Sequence, residues 1–373
     1  MAAHRLVALI AGCGVTFLCA GALYGWQALL PALYRQGAFQ ELCAAGAAPC
    51  DAQRKRLTLV FSLAMSTFFI AVLPWGRFQD WKGARATMAV ASLLSAAGSV
   101  ALAFAGGLQS QWAWVAGLML WGVSAPGVFA AAFAIPKLFP SHLNAVVSTT
   151  VICCFDAAAS TFLFLRLANL SGGLAWKATL LVYAGVSATA GLATAAVLPS
   201  ATDVDDIDAA FDPLMIKSSW RAHAKSPGFV LATCFMGFFS MRNTFYVSTL
   251  GEQLTHVDPS AAHVATDVFN VVFPVGGVVS VPLVSALLAA TAKRDDLAFG
   301  AVWALGVIHG ALNLVPNLGA QYAAIGVFAV LRSLKWATLT VYLMKYFPLK
   351  HLGSLLGVVN VTIGVINLLV YPL

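Results

Sequence analysis

Long apolar stretches fill most of this chain, and they restrict its possible folds more than any other feature. We identify eleven of them, each holding roughly twenty or more mostly apolar residues, which is enough for a helix to cross a bilayer. They lie at 6–33, 57–76, 84–106, 111–136, 143–168, 176–198, 226–250, 264–290, 298–315, 321–346 and 350–373. Only 9% of the residues are charged, whereas soluble domains hold about a quarter. The sequence therefore predicts an all-α polytopic membrane protein, and we number these stretches spans 1 to 11.

A polar stretch at 200–225 separates two parts of the chain that share a sequence pattern. Span 4 is followed by KLFPSHL at 137–143, and span 10 by KYFPLKHL at 345–352. A match of this length at the same point in both parts indicates an internal repeat. We therefore expect an N-terminal half at 1–199, a cytoplasmic loop, and a C-terminal half at 226–373.

The connection between spans 2 and 3 reads GRFQDWKGAR from residue 76 to residue 85. It resembles the signature loop of the major facilitator superfamily, G-x-x-x-D-R-x-G-x-R, although Trp81 replaces the family's first arginine. Glycines allow a tight turn and close helix approach, the aspartate can face the positive end of a helix, and the basic residues can pair with carboxylates. The predicted gating motif is Gly76, Asp80, Lys82, Gly83 and Arg85. The resemblance implies that this loop latches the two halves in one access state.

The same resemblance implies the major facilitator fold, in which two pseudo-repeated six-helix halves are related by an axis along the membrane normal. On that pattern the C-terminal half, with five spans, is one helix short. We therefore expect that the twelfth helix is missing from this sequence.

Several shorter motifs resemble a narrower group within the superfamily. Span 1 ends in YGWQALL from Tyr24, span 5 contains FDAAAS from Phe155, and span 11 begins HLGSLLG from His351. Their order and spacing are similar to those of the facilitative family that includes the large-neutral-amino-acid uniporters, the equilibrative nucleobase transporter and the related apicomplexan amino-acid transporters. Lys335 and the short central loop depart from that family. The resemblance implies passive transport of a small polar nutrient, without choosing between amino acids and nucleobases.

Charged residues inside the spans are the candidate substrate-binding residues. Arg332 lies roughly 15 Å along span 10, near the middle of the bilayer, where a charge should face protein, water or a ligand. Lys335 shares its helix face, and Asp156 lies roughly 18 Å into span 5. Asp156 has four interpretations: it meets a substrate amino group, it carries a proton, it pairs with a charge across the halves when the cavity is empty, or it makes a structural bond to a helix neighbour. Arg332 has the alternative of binding helix carbonyls, and Arg242 in span 7 that of reaching outward to the interface.

Two further polar residues in the spans are expected to have structural roles rather than to bind substrate. His309 in span 9 is a lone histidine, which is more often a hydrogen-bonded packing residue than a ligand. Asp267 at the start of span 8 is expected to be interfacial.

Basic residues outside the spans predict the orientation. The side holding the N-terminus collects twelve lysines and arginines against six on the other side, which favours a cytoplasmic N-terminus, with the plasma membrane as the expected location. Cys43 and Cys50 then lie in a loop on the opposite, oxidising side, where we predict a disulfide, with two free thiols as the alternative.

The function that these patterns favour is facilitative transport by alternating access. Amino acids are the preferred substrates, and the alternatives are nucleobase transport, proton-coupled symport through Asp156, or a receptor that does not transport. No Walker motif, GxSxG elbow or metal-ligand spacing occurs, so we predict neither an enzyme nor a cofactor or metal site. The basic residues lie between spans rather than in one patch, so the expected partners are a small-molecule substrate and the lipid bilayer, not nucleic acid.

Overall fold

A computed structural model describes residues 2–44, 49–108, 110–139, 141–198, 218–291, 293–348 and 352–370. Within these residues the chain forms helices joined by short turns, and it contains no strand. Most of the polar stretch between the halves therefore lies outside the described part of the chain.

Every predicted span coincides with one helix or with two consecutive helices. Spans 1 to 6 correspond to the helices Ala2–Val15, Trp26–Arg35, Asp51–Gln79, Trp81–Gly107, Gln111–Ala132, Ser141–Ala157, Thr161–Leu170 and Trp176–Val197. Spans 7 to 11 correspond to Pro227–Val257, Ala262–Val279, Val281–Ala290, Asp295–Asn313, Leu318–Tyr346 and Leu352–Asn367. A further short helix, Trp220–Ala224, precedes span 7. The prediction of an all-α polytopic membrane protein is confirmed.

Not all of these helices are long and apolar enough to cross a membrane by themselves. Of the described helices, eight are long and apolar enough to cross a membrane, and the bent pair in span 1 makes a ninth. Span 11 is a shorter apolar helix, Gly353–Asn367. Span 7 is long but carries Arg242, Asn243 and Glu252 along its length.

Span 1 is broken near its middle, which the sequence prediction of one uninterrupted stretch did not anticipate. Its two segments, His4–Ala20 and Ala22–Arg35, are bent by 48° relative to each other. Span 5 is interrupted in the same region by the 3₁₀ turn Ala158–Ser160. A Cβ on Gly21 would lie 2.1 Å from the Phe155 carbonyl oxygen, so only glycine allows the two backbones to approach this closely.

The N-terminal half (spans 1 to 6) and the C-terminal half (spans 7 to 11) touch along several helices. Span 11 packs on span 2 where a Cβ on Gly364 would lie 2.8 Å from the Ser66 carbonyl oxygen. Span 1 meets span 7 where the Gln27 side-chain amide donates to the Val247 carbonyl oxygen over 2.6 Å. The two predicted halves are therefore in direct contact at these two places.

Candidate functional site

A buried ion pair joins span 5 of the predicted N-terminal half to span 10 of the predicted C-terminal half. Arg332 donates through Nη2 to the Oδ1 atom of Asp156. Both residues are buried, with Arg332 3% exposed and Asp156 6% exposed. Ser333 donates its hydroxyl to the other carboxylate oxygen of Asp156 over 3.4 Å. Neither charge can be left alone here, because removing one partner of a buried pair leaves an uncompensated charge and costs about 3–5 kcal/mol.

A glycine in span 8 makes room for this carboxylate. A Cβ on Gly277 would lie 2.8 Å from the Cβ of Asp156 and 3.1 Å from its Oδ2. The adjacent Gly276 meets span 10, where its Cβ would lie 2.7 Å from that of Ala329. Spans 5, 8 and 10 therefore converge on the ion pair because span 8 carries two consecutive glycines there.

Aromatic rings from both halves surround the guanidinium of Arg332. Its central carbon lies 4.3 Å from the ring centre of Phe273 and 5.1 Å from that of Tyr24, so the cation is stabilised by the faces of two rings. Phe273 in turn stacks on Phe269 and on Phe328, with ring centres 5.1 and 5.6 Å apart and planes within 21°. We refer to Phe269, Phe273 and Phe328 as the aromatic stack.

Lys335, one turn beyond Arg332, points to a different span. It is 2% exposed, and its Nζ donates to the hydroxyl of Ser240 in span 7 over 3.0 Å. Lys335 therefore lies inside the bundle, as its position on span 10 predicts, but its hydrogen bond to Ser240 stays within the C-terminal half.

Arg242 belongs to a separate polar cluster within the C-terminal half. It turns towards span 9, where Nη2 donates to the Gly306 carbonyl oxygen over 3.1 Å and lies 3.4 Å from His309 Nδ1. His309 also packs edge-on against the ring of Tyr246, with ring centres 4.6 Å apart. The guanidinium of Arg242 thus contacts span 9 instead of reaching outward to the interface. His309 lies among hydrogen-bonding and aromatic neighbours.

A second ion pair between the halves was not anticipated from the sequence. Arg166 Nη1, near the end of span 5, lies 2.6 Å from Asp267 Oδ1 in span 8. The Arg166 side chain is 12% exposed and that of Asp267 40% exposed. The only signal in the sequence was that two residues of opposite charge lie at the same expected depth. The residues around each of them do not indicate the pairing.

The predicted gating motif is only partly described. Gly83, between spans 2 and 3, has φ 79°, a backbone conformation that glycine adopts readily and other residues rarely do. No atom of the described residues lies within 4 Å of a Cβ built on Gly76. Arg85 donates to the Leu198 carbonyl oxygen over 2.6 Å instead of pairing with a carboxylate, and the Lys82 Nζ lies 3.8 Å from the centre of the Trp81 ring. The side chain of Asp80 lies outside the described part, so the latch remains a prediction.

The loop between spans 1 and 2 holds the predicted cysteine pair. Cys43 and Cys50 are joined by a disulfide, with their Cα atoms 5.7 Å apart. Nearby, Gln53 at the start of span 2 donates to the Ala38 carbonyl oxygen over 2.7 Å. These contacts hold the loop against the end of the bundle opposite the N-terminus, which we refer to as the far end.

A comparison with protein families decides the identity of this fold. The model of the Major Facilitator Superfamily matches residues 12–370. The chain belongs to this superfamily. It is accordingly a transporter and not an enzyme, and the resemblance seen in the gating loop is confirmed at the level of the superfamily.

Two relatives cover nearly the whole length of this superfamily member. Protein FMP42 of Saccharomyces cerevisiae is 24% identical, in an alignment covering 98% of this chain and 87% of the yeast protein. Equilibrative nucleobase transporter 1 of Bos taurus is also 24% identical, over 99% of this chain and 89% of the bovine protein. The resemblance to the family that includes the equilibrative nucleobase transporter is thereby confirmed.

Proposed function

We propose that this transporter carries small zwitterionic amino acids by facilitative alternating access, and that the substrate binds between Asp156 and Arg332. The observation that carries the proposal is the buried ion pair itself, which joins spans 5 and 10 and therefore the two halves. Alternating access requires the halves to move relative to each other around a central site. A charge pair at that site must be rearranged in each transport cycle.

An amino acid offers the charges that both partners of the pair need. Its carboxylate matches the guanidinium of Arg332, which can bind it through two parallel hydrogen bonds. Its ammonium group matches the carboxylate of Asp156. A zwitterion inserted between the two residues thus leaves neither buried charge unpaired, and this avoids the cost of separating them.

The far end supplies the contacts that must open to admit or release substrate. There Arg166 pairs with Asp267, and Gln27 donates to the backbone of span 7 through the Val247 and Ser248 carbonyl oxygens. In the proposal, the N-terminus is cytoplasmic and the far end faces outward from the plasma membrane. The halves at 1–199 and 226–373 move as two bodies about the central pair.

Nucleobases are the second candidate, and a separate observation favours them. The rings of the aromatic stack lie face to face beside Arg332, and a planar base that entered beside them would extend this offset stacking. One relative is named as an equilibrative nucleobase transporter. A nucleobase would stack on the rings of the aromatic stack and would bind to either Asp156 or Arg332.

Uptake into proteoliposomes tests these candidates together. Labelled amino acids and nucleobases are supplied one at a time, with and without a pH gradient, and empty liposomes give the background. The proposal expects amino-acid uptake that stops at equal concentrations on both sides under both conditions. Uptake of bases alone supports the second candidate, accumulation driven by the pH gradient supports proton coupling through Asp156, and no uptake of either class contradicts the proposal.

A further inference from the structure

A buried asparagine in span 8 has a side-chain amide that the fold does not use. Asn270 is 4% exposed, and within the described residues neither its Oδ1 nor its Nδ2 has a hydrogen-bond partner. Buried polar side chains are nearly always hydrogen-bonded, because leaving a donor or acceptor unpaired is costly. Its amide therefore calls for a partner that supplies both a donor and an acceptor.

The position of Asn270 places this amide beside the proposed site. It precedes Phe273 by three residues and Gly277 by seven, so all three lie on one face of span 8. Phe273 carries the guanidinium of Arg332 on its ring, and Gly277 contacts the side chain of Asp156. The backbone of Asn270 thus lies roughly 4.5 Å along the helix axis from that of Phe273, on the side towards the far end.

A second buried polar group lies on the same aromatic stack. The ring of Tyr246 in span 7 has its centre 6.2 Å from that of Phe269 and 4.7 Å from that of Phe328. Within the described residues its hydroxyl also has no hydrogen-bond partner. Two neighbouring spans therefore bring unpaired neutral polar groups to one stack of rings.

We propose that Asn270 is a specificity-determining residue that binds a neutral amide edge of the substrate, meaning a carbonyl oxygen beside an N–H group. A carboxamide side chain and the lactam of a nucleobase both present this edge. The oxygen of Asn270 accepts from the substrate N–H, and its NH₂ donates to the substrate carbonyl. The inference rests on the proposed function, because it places the amide edge next to a substrate held at Asp156 and Arg332.

Ligand-dependent melting of the purified full-length protein tests this assignment in two arms. One arm compares glutamine with methionine, which has a similar length and no amide. The other compares uracil with pyrimidine, which has a similar ring and no lactam. We expect the parent to prefer the amide-bearing ligand in at least one arm, and Asn270→Leu to reduce that preference at least tenfold, which corresponds to about 1.4 kcal/mol.

A matched control separates recognition from folding. Asn367 in span 11 is 0% exposed, and both of its amide atoms also lack partners within the described residues. Its helix packs on span 2 through Gly364 rather than on the ion pair, so Asn367→Leu should leave the preference intact.

Two further variants extend the test. Tyr246→Phe removes a single hydroxyl, so it should fold like the parent and reduce the preference by a smaller factor than Asn270→Leu. Asn270→Ala provides a second deletion of the amide if the leucine variant is unstable.

The outcomes distinguish failure of this assignment from failure of the proposed function. A preference in the uracil arm alone that Asn270→Leu removes supports the assignment, and it contradicts amino-acid transport only if neither glutamine nor methionine raises the melting temperature of the parent. Equal preference in the parent and in Asn270→Leu overturns the assignment while amino-acid transport stands. Absence of any amide preference in both arms of the parent also overturns it. A lower melting temperature for ligand-free Asn270→Leu, with the preference kept, shows that Asn270 serves only packing.

Discussion

The two ion pairs that link span 5 to the C-terminal half differ in burial, and this difference suggests different roles. Asp156 and Arg332 have side chains only 9% and 4% exposed. Arg166 and Asp267, roughly 15 Å further along span 5, have side chains 12% and 40% exposed. One pair is enclosed by protein. The other, which we refer to as the exposed pair, has a largely buried guanidinium and a carboxylate that is open to its surroundings at the far end.

Burial determines what each pair contributes. An exposed pair contributes about 0–1 kcal/mol, which is enough to favour one conformation but not to build a binding site. A buried pair carries a desolvation cost that apolar residues of similar volume would avoid. In our account the buried pair is maintained because it binds substrate, and the exposed pair biases the opening of the far end.

The largest effect is expected at the buried pair. Arg332→Lys keeps the charge but loses the planar fork that binds a carboxylate through two hydrogen bonds. We expect at least about a tenfold loss of amino-acid uptake, equivalent to 1.4 kcal/mol or more of lost substrate interaction. Proteoliposome uptake measures it, and normal uptake by the lysine variant would contradict the assignment of Arg332.

Lys335 should have a smaller effect, and on selectivity more than on rate. Its Nζ donates to Ser240 rather than to Asp156, so Lys335→Ala leaves the central ion pair in place. We expect the ratio of uptake between different substrates to change by about threefold to tenfold, or roughly 0.7–1.4 kcal/mol. Competition uptake with a substrate panel measures this ratio. Ser240→Ala removes the same hydrogen bond and is the control; a proportional loss for every substrate would oppose the selectivity role.

The exposed pair should affect transport rate while leaving substrate binding unchanged. Asp267→Asn removes the ion pair with Arg166 at the far end, and the energy of an exposed pair limits the rate change to about fivefold. Uptake kinetics give the rate, and substrate-dependent melting gives the binding. Arg166→Gln should have a similar effect and should add little to Asp267→Asn, since both break the contact between these two residues. Asp267→Asn also loses the 3.4 Å contact with His263 Nδ1. Weaker substrate binding in either variant would place this pair in the site instead of at a gate.

The smallest functional effect is expected at the disulfide. Cys43→Ser removes the bond to Cys50, which closes only a short loop, so we expect a stability loss below about 3 kcal/mol and unchanged substrate preference. Mass spectrometry of peptides prepared without reduction checks the bond itself. Alkylation of both cysteines in that experiment would show that the thiols are free.

Hydropathy made the helices predictable, but it did not reveal where they break. Each apolar stretch contains enough helix-forming residues to be read as one rod, so span 1 was expected to be continuous from 6 to 33. The break depends on Gly21 and Gly25 lying against the backbone of span 5, and this long-range contact leaves no periodic signal in either segment.

The site was predictable only where a charge is conspicuous in an apolar stretch. Asp156, Arg332 and Lys335 stand out for that reason, and a pairing of Asp156 with a charge across the halves was one of several sequence interpretations. Asn270 was missed because a neutral amide in a membrane helix usually finds a partner, and the sequence cannot show that its fold offers none among the described residues. Its proposed role becomes visible only in the structure, where Asn270 shares a helix face with Phe273 and Gly277, the two residues of span 8 that contact Arg332 and Asp156.

The most direct test of the account is whether substrate still stabilises a folded protein whose Arg332 is replaced by lysine. Parent and Arg332→Lys are purified, their ligand-free folding is compared by size and melting temperature, and each is then melted with increasing amino acid. The account predicts a folded variant whose substrate-dependent rise in melting temperature is lost or needs at least about tenfold more amino acid. If Arg332→Lys is folded and the same substrate stabilises it to the same extent, Arg332 does not bind the substrate.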